Sequence, residues 1–292
     1  MDKALEVGIN FFDTANVYGG AGHKGWTEEI IGRWFAQGGN RREKVVLATK
    51  VFSDMKDQND GPNFGRGLSA YKIRRHLEGS LKRLQTDHIE LYQMHHIERN
   101  VTWEETWGAF EALVNQEKVY YIGSSNFAGW HLVQAQAAAA KRNFLGLVSE
   151  QHKYNLLCRL PELEVLPAAK EMCMGVIPWS PLGGGMLSGN VLSSVKGSRN
   201  AQRADSLSPQ ERSQLGAYSK LCAEIDESES GIALAWLLAN PVVTAPIIGP
   251  RTLKQFEDSL SAVEIELSDD VLKELDSIFP GPGDKAPEAY VL

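Results

Sequence analysis

The chain has 292 residues, enough for one large α/β domain or two smaller ones, with 43% hydrophobic and 23% charged residues and a net charge of −7. That charge gives no overall electrostatic case for nucleic acid. Three cysteines, Cys158, Cys173 and Cys222, lack metal-ligand spacing and are odd in number, which points to a reducing compartment and no disulfide framework. The apolar runs are too short and interrupted to span a bilayer, and Met1–Glu6 has no signal-peptide character, so the expected location is the cytoplasm.

The chain opens on a helix tail over residues 2–7 that ends at Gly8. Residues 9–12 (Ile-Asn-Phe-Phe) form a short apolar run that reads as a buried strand and delivers Asp13 and Tyr18 at its exit. Thr27 followed by residues 28–35 reads as a capped amphipathic helix, and residues 44–50 as the next strand. Ile73, Leu77, Leu81 and Leu84 recur at helical intervals within 69–84, and a strand over 89–95 follows. The alternation goes on with a helix over 102–117 burying Trp103, Trp107, Phe110 and Leu113, then strand 119–123, helix 129–142, strand 147–151, helix 163–172 and strand 175–179. Residues 182–208 are rich in Gly and Ser, carry Lys196, Arg199 and Arg203, and are too long for a simple connector. Helices over 209–224 and 231–239, a last strand over 245–249, and helices over 252–262 and 269–279 complete the chain.

Seven strand-like segments, each followed by a helix, imply a parallel sheet in a single domain over 1–292. One more βα unit would close a TIM-type (β/α)8 barrel, whose chemistry lies at the carboxyl ends of its strands. Asp13, Lys50, His95, Ser125-Asn126 and Gln151 all fall at or just past strand ends. No Gly-x-Gly-x-x-Gly opens a helix, so an open dinucleotide-binding sheet is the weaker alternative.

Asp, Tyr, Lys and His at one rim suit proton delivery to a carbonyl. An ammonium about 4 Å from a phenol favours the phenolate by ~4 kcal/mol at an effective dielectric of about 20, before desolvation. On this reading Lys50 tunes Tyr18, Asp13 orients Lys50, and His95 assists at the carbonyl oxygen, with the neighbouring His96 equally eligible. Lys50 could also serve a Schiff-base lyase.

Several motifs then fall into place: residues 8–15 (Gly-Ile-Asn-Phe-Phe-Asp-Thr-Ala) with Tyr18-Gly19, 48–50 (Ala-Thr-Lys), 91–95 (Leu-Tyr-Gln-Met-His), 123–127 (Gly-Ser-Ser-Asn-Phe), 179–182 (Trp-Ser-Pro-Leu) and 248–251 (Ile-Gly-Pro-Arg) with Gln255 and Asp258. Through nearly its whole length the chain resembles the aldo-keto reductases, most closely the branch that includes the potassium-channel β subunits. The resemblance implies an eight-stranded barrel and reduction of an aldehyde or ketone by NADPH, with Asp13, Tyr18, Lys50 and His95 as the catalytic tetrad. It places Ser125, Asn126 and Gln151 on the carboxamide and Trp179 on the nicotinamide ring. Ser180, Pro181, Leu182 and Gly184 match the pyrophosphate loop, and Gly249, Arg251, Gln255 and Asp258 the adenosine end. Arg251 suits a ribose 2′-phosphate because its guanidinium binds phosphate as a fork.

Trp26, Phe52 and His96 are candidate substrate-pocket residues. Small carbonyl compounds, a ketosugar among them, are the expected partners, without nucleic acid, metal or membrane insertion; an oligomer is compatible. The family's opening hairpin, first strand and most of its first helix, roughly 30 to 40 residues, have no counterpart before residue 1. Asn190 stands where the family often has Lys, which would shift phosphate contacts to Lys196, Arg199 or Arg203, and Ser259 where Asn is frequent. The alternatives are a redox-sensing regulatory subunit and an inactive fragment.

Overall fold

A computed structural model describes residues 1–20, 22–56, 65–189, 191, 205 and 207–283. The expectations for Asn190, Lys196, Arg199 and Arg203 lie outside them. The chain divides into two compact units, residues 1–150 with 172–174, and residues 151–171 with 175–292.

In the first unit a short helix α1 (Asp2–Glu6) precedes β1 (Phe11–Asp13), α2 (Trp26–Phe35), β2 (Val46–Val51), α3 (Ala70–Leu84), β3 (Ile89–Met94), α4 (Trp103–Asn115), β4 (Val119–Ser125), α5 (Gly129–Ala140) and the start of β5 (Leu147–Lys153). Strands β1 to β5 lie in sheet order as they do in sequence. The pairings β1–β2, β2–β3 and β3–β4 are parallel, which the helical crossovers require. A parallel strand flanked by helices is covered on both faces, so β2 and β3 are buried almost from end to end.

The core of this unit joins Leu47, Leu91, Tyr92, Met94 and Ile122 of the strands with Ile73, Leu77 and Leu84 of α3 and Trp107 and Phe110 of α4. The polar tips of its large aromatics are satisfied: Tyr92 Oη donates to Ile73 O and Trp107 Nε1 to Ala135 O. Trp103, expected within the buried face of α4, is half-buried and stacks on Trp107 at 5.8 Å.

Thr27 does not cap α2. The helix starts two residues earlier, at Trp26 behind Gly25 (φ 88°), and the Thr27 hydroxyl lies 2.8 Å from that of Thr14. Ser69 and Thr102 cap α3 and α4 by accepting backbone N–H groups, whereas Ala128 before α5 has no side-chain acceptor.

The second unit holds the end of β5, α6 (Val165–Glu171), β6 (Gly175–Trp179), α7 (Pro209–Glu224), α8 (Glu229–Leu238), α9 (Leu253–Leu260) and α10 (Asp269–Ile278). Ser208 and Glu211 form a reciprocal capping box on α7. The helix expected over 163–172 resolves into a 3-10 turn at Leu160–Glu162 and the short α6.

The strand expected over 245–249 is not regular. One parallel bridge joins Val176 to Val243, and the N–H groups of Thr244 and Ile247 donate to Val176 O and Pro178 O. Pro246 has no N–H to extend the ladder. Six strands, rather than seven, are therefore formed among the described residues. Arg159 ties α10 down by donating to Glu162, Asp276 and the carbonyl of Phe279.

Candidate active site

Three strand ends of the first unit bring the proposed tetrad together. Asp13 is the last residue of β1, Lys50 the penultimate residue of β2, and His95 follows β3 directly. Lys50 is fully buried, and its ammonium has three hydrogens with three acceptors around them. Nζ lies 2.5 Å from Asp13 Oδ2, 2.8 Å from Thr14 O and 3.4 Å from Tyr18 Oη. The same nitrogen sits 4.9 Å from the centre of the Tyr18 ring. When Lys50 donates to the phenol oxygen, the phenol's own proton remains available to an acceptor outside the protein.

Tyr18 is carried by a loop fixed at several points. Thr14 N–H donates to Ala48 O, Asn16 N–H to Lys50 O, and the Tyr18 carbonyl accepts from the N–H groups of Gly25 and Thr27 at the start of α2. The Asn16 side chain, fully buried, lies 3.0 Å from His76 Nδ1 of α3. Gly19 has φ 133°, and a Cβ there would stand 2.1 Å from His23 O, so only glycine lets the loop close against the turn before α2. Tyr18 as a residue is 36% exposed, which leaves it accessible to a substrate.

His95 meets the Tyr18 ring edge-on at 5.7 Å. Its backbone is pinned on both sides, the N–H donating to Val51 O and the carbonyl accepting from Asn126 Nδ2 at 3.2 Å. Burial, reinforced by the Lys50 charge and by His96, pushes its pKa down to about 3, so the imidazole is neutral at physiological pH. Its Nδ1 is buried with no hydrogen-bond partner among the described residues. His96 is also lowered, by burial and then by Arg66.

Of the substrate candidates, Phe52 and His96 face each other at 5.4 Å, and His96 stacks on His95 at 5.8 Å. The two therefore extend one aromatic run away from Tyr18. Trp26 stands apart from that run, 46% exposed at the start of α2 and 5.0 Å from His23.

Ser125 ends β4, and Asn126 follows in the left-handed region at φ 61°, its Nδ2 donating to Ser125 Oγ at 2.9 Å. In the second unit Gln151 is buried in β5. Trp179 ends β6 half-buried, with Lys153 Nζ 5.9 Å from its ring centre. Ser180 has φ 53°, and its carbonyl accepts from Asn155 Nδ2 and the N–H of Gly183. Pro181 is buried and Leu182 half-buried, and Leu182 O accepts from the N–H groups of Gly185 and Leu187. Gly183, Gly184 and Gly185 all have positive φ, a run of backbone conformations that glycine adopts without strain. Gly249, Arg251, Gln255 and Asp258 are exposed around the start of α9, where Gln255 Oε1 accepts the Arg251 N–H and Asp258 pairs with Lys254.

Two participants escaped the reading of the sequence. Gln93 donates to the second oxygen of Asp13, and Glu150 holds Ser124 and Phe127 on either side of Ser125-Asn126. The available signal was a polar residue inside an otherwise apolar buried strand, which needs a partner wherever it occurs.

The sequence model of the Aldo/keto reductase family matches residues 1–279. The chain belongs to the aldo/keto reductase family. It is 64% identical over 290 residues to the uncharacterized oxidoreductase YrpG of Bacillus subtilis, covering 99% of this chain and 89% of that protein. It is 32% identical to a putative voltage-gated potassium channel subunit beta of Schizosaccharomyces pombe, covering 95% and 82%. It is also 32% identical to the norsolorinic acid reductase stcV of Emericella nidulans, covering 96% and 71%. Aldo/keto reductases are oxidoreductases that use NAD(P)H on small carbonyl compounds. Among the described residues no helix of this aldo/keto reductase is long and apolar enough to cross a membrane, and no group of three His, Cys, Asp or Glu side chains is placed to hold a metal ion.

Proposed function

We propose that this aldo/keto reductase reduces an aldehyde or ketone to the alcohol with NADPH, Tyr18 acting as the general acid. The observation that carries this reading is the buried Lys50, bonded at once to Asp13 Oδ2, Thr14 O and Tyr18 Oη.

The residues present fit a nicotinamide cofactor. Ser125 carries a hydroxyl that can donate and Asn126 an amide oxygen that can accept, the two group types that a carboxamide pairs with, while both Asn126 amide hydrogens go to Ser125 Oγ and His95 O. Trp179 presents a half-exposed flat ring, and the three positive-φ glycines after it suit a pyrophosphate. We assign Gln151 with Ser125 and Asn126 to the carboxamide, Ser180, Pro181, Leu182 and Gly184 to the phosphates, and Gly249, Arg251, Gln255 and Asp258 to the adenosine end.

Bound NADPH would supply a hydride to the carbonyl carbon. Tyr18 gives its phenol proton to the carbonyl oxygen, so that with the hydride at carbon the π bond is replaced by C–H and O–H bonds and the C–O single bond of the alcohol remains. Lys50 stabilises the phenolate left behind, Asp13 holds Lys50 in place, and neutral His95 presents a ring nitrogen toward the same oxygen. The phenolate recovers its proton from water, to which Tyr18 is open. We further read the strands as part of a TIM-type (β/α)8 barrel in one domain. Support comes from Asp13, Lys50, His95 and Ser125 all lying at carboxyl ends of parallel strands.

The test is a titration of the purified chain with NADPH and NADH by tryptophan fluorescence, followed by cofactor oxidation over a panel of aldehydes, ketones and ketosugars. Tyr18→Phe should lose reduction by about 10²-fold or more while keeping NADPH affinity within a few fold. Absence of NADPH binding by the folded chain, or full turnover by Tyr18→Phe, would overturn the reading. Tight NADPH binding with negligible turnover on every carbonyl would favour instead a cofactor-binding regulatory subunit, a reading compatible with two relatives named as voltage-gated potassium channel β subunits.

A further inference from the structure

Glu150 lies in β5 with none of its surface exposed. Its carboxylate spans the junction between β4 and α5: one oxygen accepts the Ser124 hydroxyl, and the other the N–H of Phe127 at 2.9 Å. These two donors sit three residues apart and bracket Ser125 and Asn126. Asn126 stands in the left-handed region, which asparagine adopts more readily than other non-glycine residues, and the clamp fixes the residues on either side of that turn. Its amide then reaches Ser125 Oγ and the carbonyl of His95.

A buried carboxylate is costly, and an apolar side chain would fill the same space more cheaply. What it provides is two acceptor atoms in one rigid plane, which can fix two donors at a set separation. The geometry points to Glu150 as a positioning residue for the nicotinamide carboxamide: by clamping Ser124 and Phe127 it sets the Ser125-Asn126 turn and, through Asn126, the His95 backbone. This inference rests on the assignment of Ser125 and Asn126 to the carboxamide. Glu150 itself needs no contact with the cofactor.

Glu150→Gln tests it, because an amide keeps one acceptor oxygen and replaces the other with a donor, releasing one side of the clamp. Binding is measured with three probes: NADPH, 2′,5′-ADP, which keeps only the adenosine end, and the 3-acetylpyridine analogue of NADPH, in which the carboxamide is replaced by an acetyl group. The expected result is about tenfold weaker NADPH binding, the usual scale for one lost charge-assisted hydrogen bond. Binding of 2′,5′-ADP should stay unchanged within about twofold, and the penalty on the acetylpyridine analogue should be smaller than on NADPH.

Equal losses on NADPH and 2′,5′-ADP would make Glu150 a general structural residue and overturn the proposal, as would unchanged NADPH binding. If Glu150→Gln does not fold, Ser124→Ala removes one arm of the clamp and is read against the same three probes. Wild-type protein that binds 2′,5′-ADP but discriminates nothing between NADPH and its acetylpyridine analogue would instead bring down the carboxamide assignment beneath it.

Discussion

Gln93 Nε2 donates to Asp13 Oδ1 at 3.0 Å, on the side of the carboxylate that Lys50 leaves open. The pairing follows from register, since Gln93 stands directly opposite Lys50 across β2 and β3 while Asp13 stands opposite Ala48. Gln93→Leu removes a donor to a nearly buried carboxylate, a loss of about 1–3 kcal/mol in stability. Turnover should fall more than cofactor affinity does, because the carboxylate that orients Lys50 then loses its Gln93 anchor. Urea unfolding and steady-state kinetics on the same preparation measure both.

Lys50→Met should abolish reduction and also destabilise the fold. The Lys50 side chain has no exposure and that of Asp13 only 7%, so the substitution strands a carboxylate whose countercharge was its neighbour. Breaking a buried pair from one side costs about 3–5 kcal/mol. The double change Lys50→Met with Asp13→Leu should recover much of that stability and none of the activity, as thermal unfolding would report. With all three Lys50 hydrogens engaged, borohydride in the presence of a carbonyl substrate should trap no covalent adduct; an adduct would revive the Schiff-base alternative.

His95 makes the protein sensitive to acid in a defined window. Its pKa lies near 3 in the fold, against an ordinary value of 6.5, so between those limits the unfolded chain binds the extra proton and the folded one does not. Stability from this residue is therefore complete above pH 6.5 and drains away as pH falls toward 3. His95→Asn should lose less stability than the wild type between pH 7.5 and 5, measured by urea midpoints. The pH profile of kcat should show no limb from His95 between pH 5 and 8.

Arg251→Ala should weaken NADPH by at least about tenfold and leave NADH nearly unchanged, if its guanidinium reads the 2′-phosphate. The residue is exposed at the start of α9, where its backbone N–H donates to Gln255 Oε1. Equal effects on the two cofactors, by fluorescence titration, would remove Arg251 as the source of NADPH preference.

Much of this protein is written locally. Apolar runs of strand length separated by helical periodicity placed β1 to β6 and most helices within a few residues, because parallel strands buried on both faces and amphipathic helices each leave a pattern that needs no knowledge of the partner. The residues of the tetrad were legible for the same reason: a charged or polar residue at the end of an apolar strand stands out from the strand itself. The resemblance to the family supplied roles for the remaining motif residues.

Other features depended on which elements meet. Thr27 has the chemistry of a helix cap, yet Thr14 engages its hydroxyl and Tyr18 its N–H, so α2 begins at Trp26. Residues 245–249 have strand composition, but Pro246 has no hydrogen to give and the ladder beside β6 stays incomplete. Gln93 and Glu150 are polar residues within buried strands whose partners lie on other segments, one bonding Asp13 and the other Ser124 and Phe127. By itself the sequence determined where strands and helices run and which residues stand at the strand ends, since periodicity and turn chemistry act over neighbouring residues. Only the tertiary structure decided which polar side chains are partners, since a buried hydrogen bond belongs to two segments that the chain brings together from tens of residues apart.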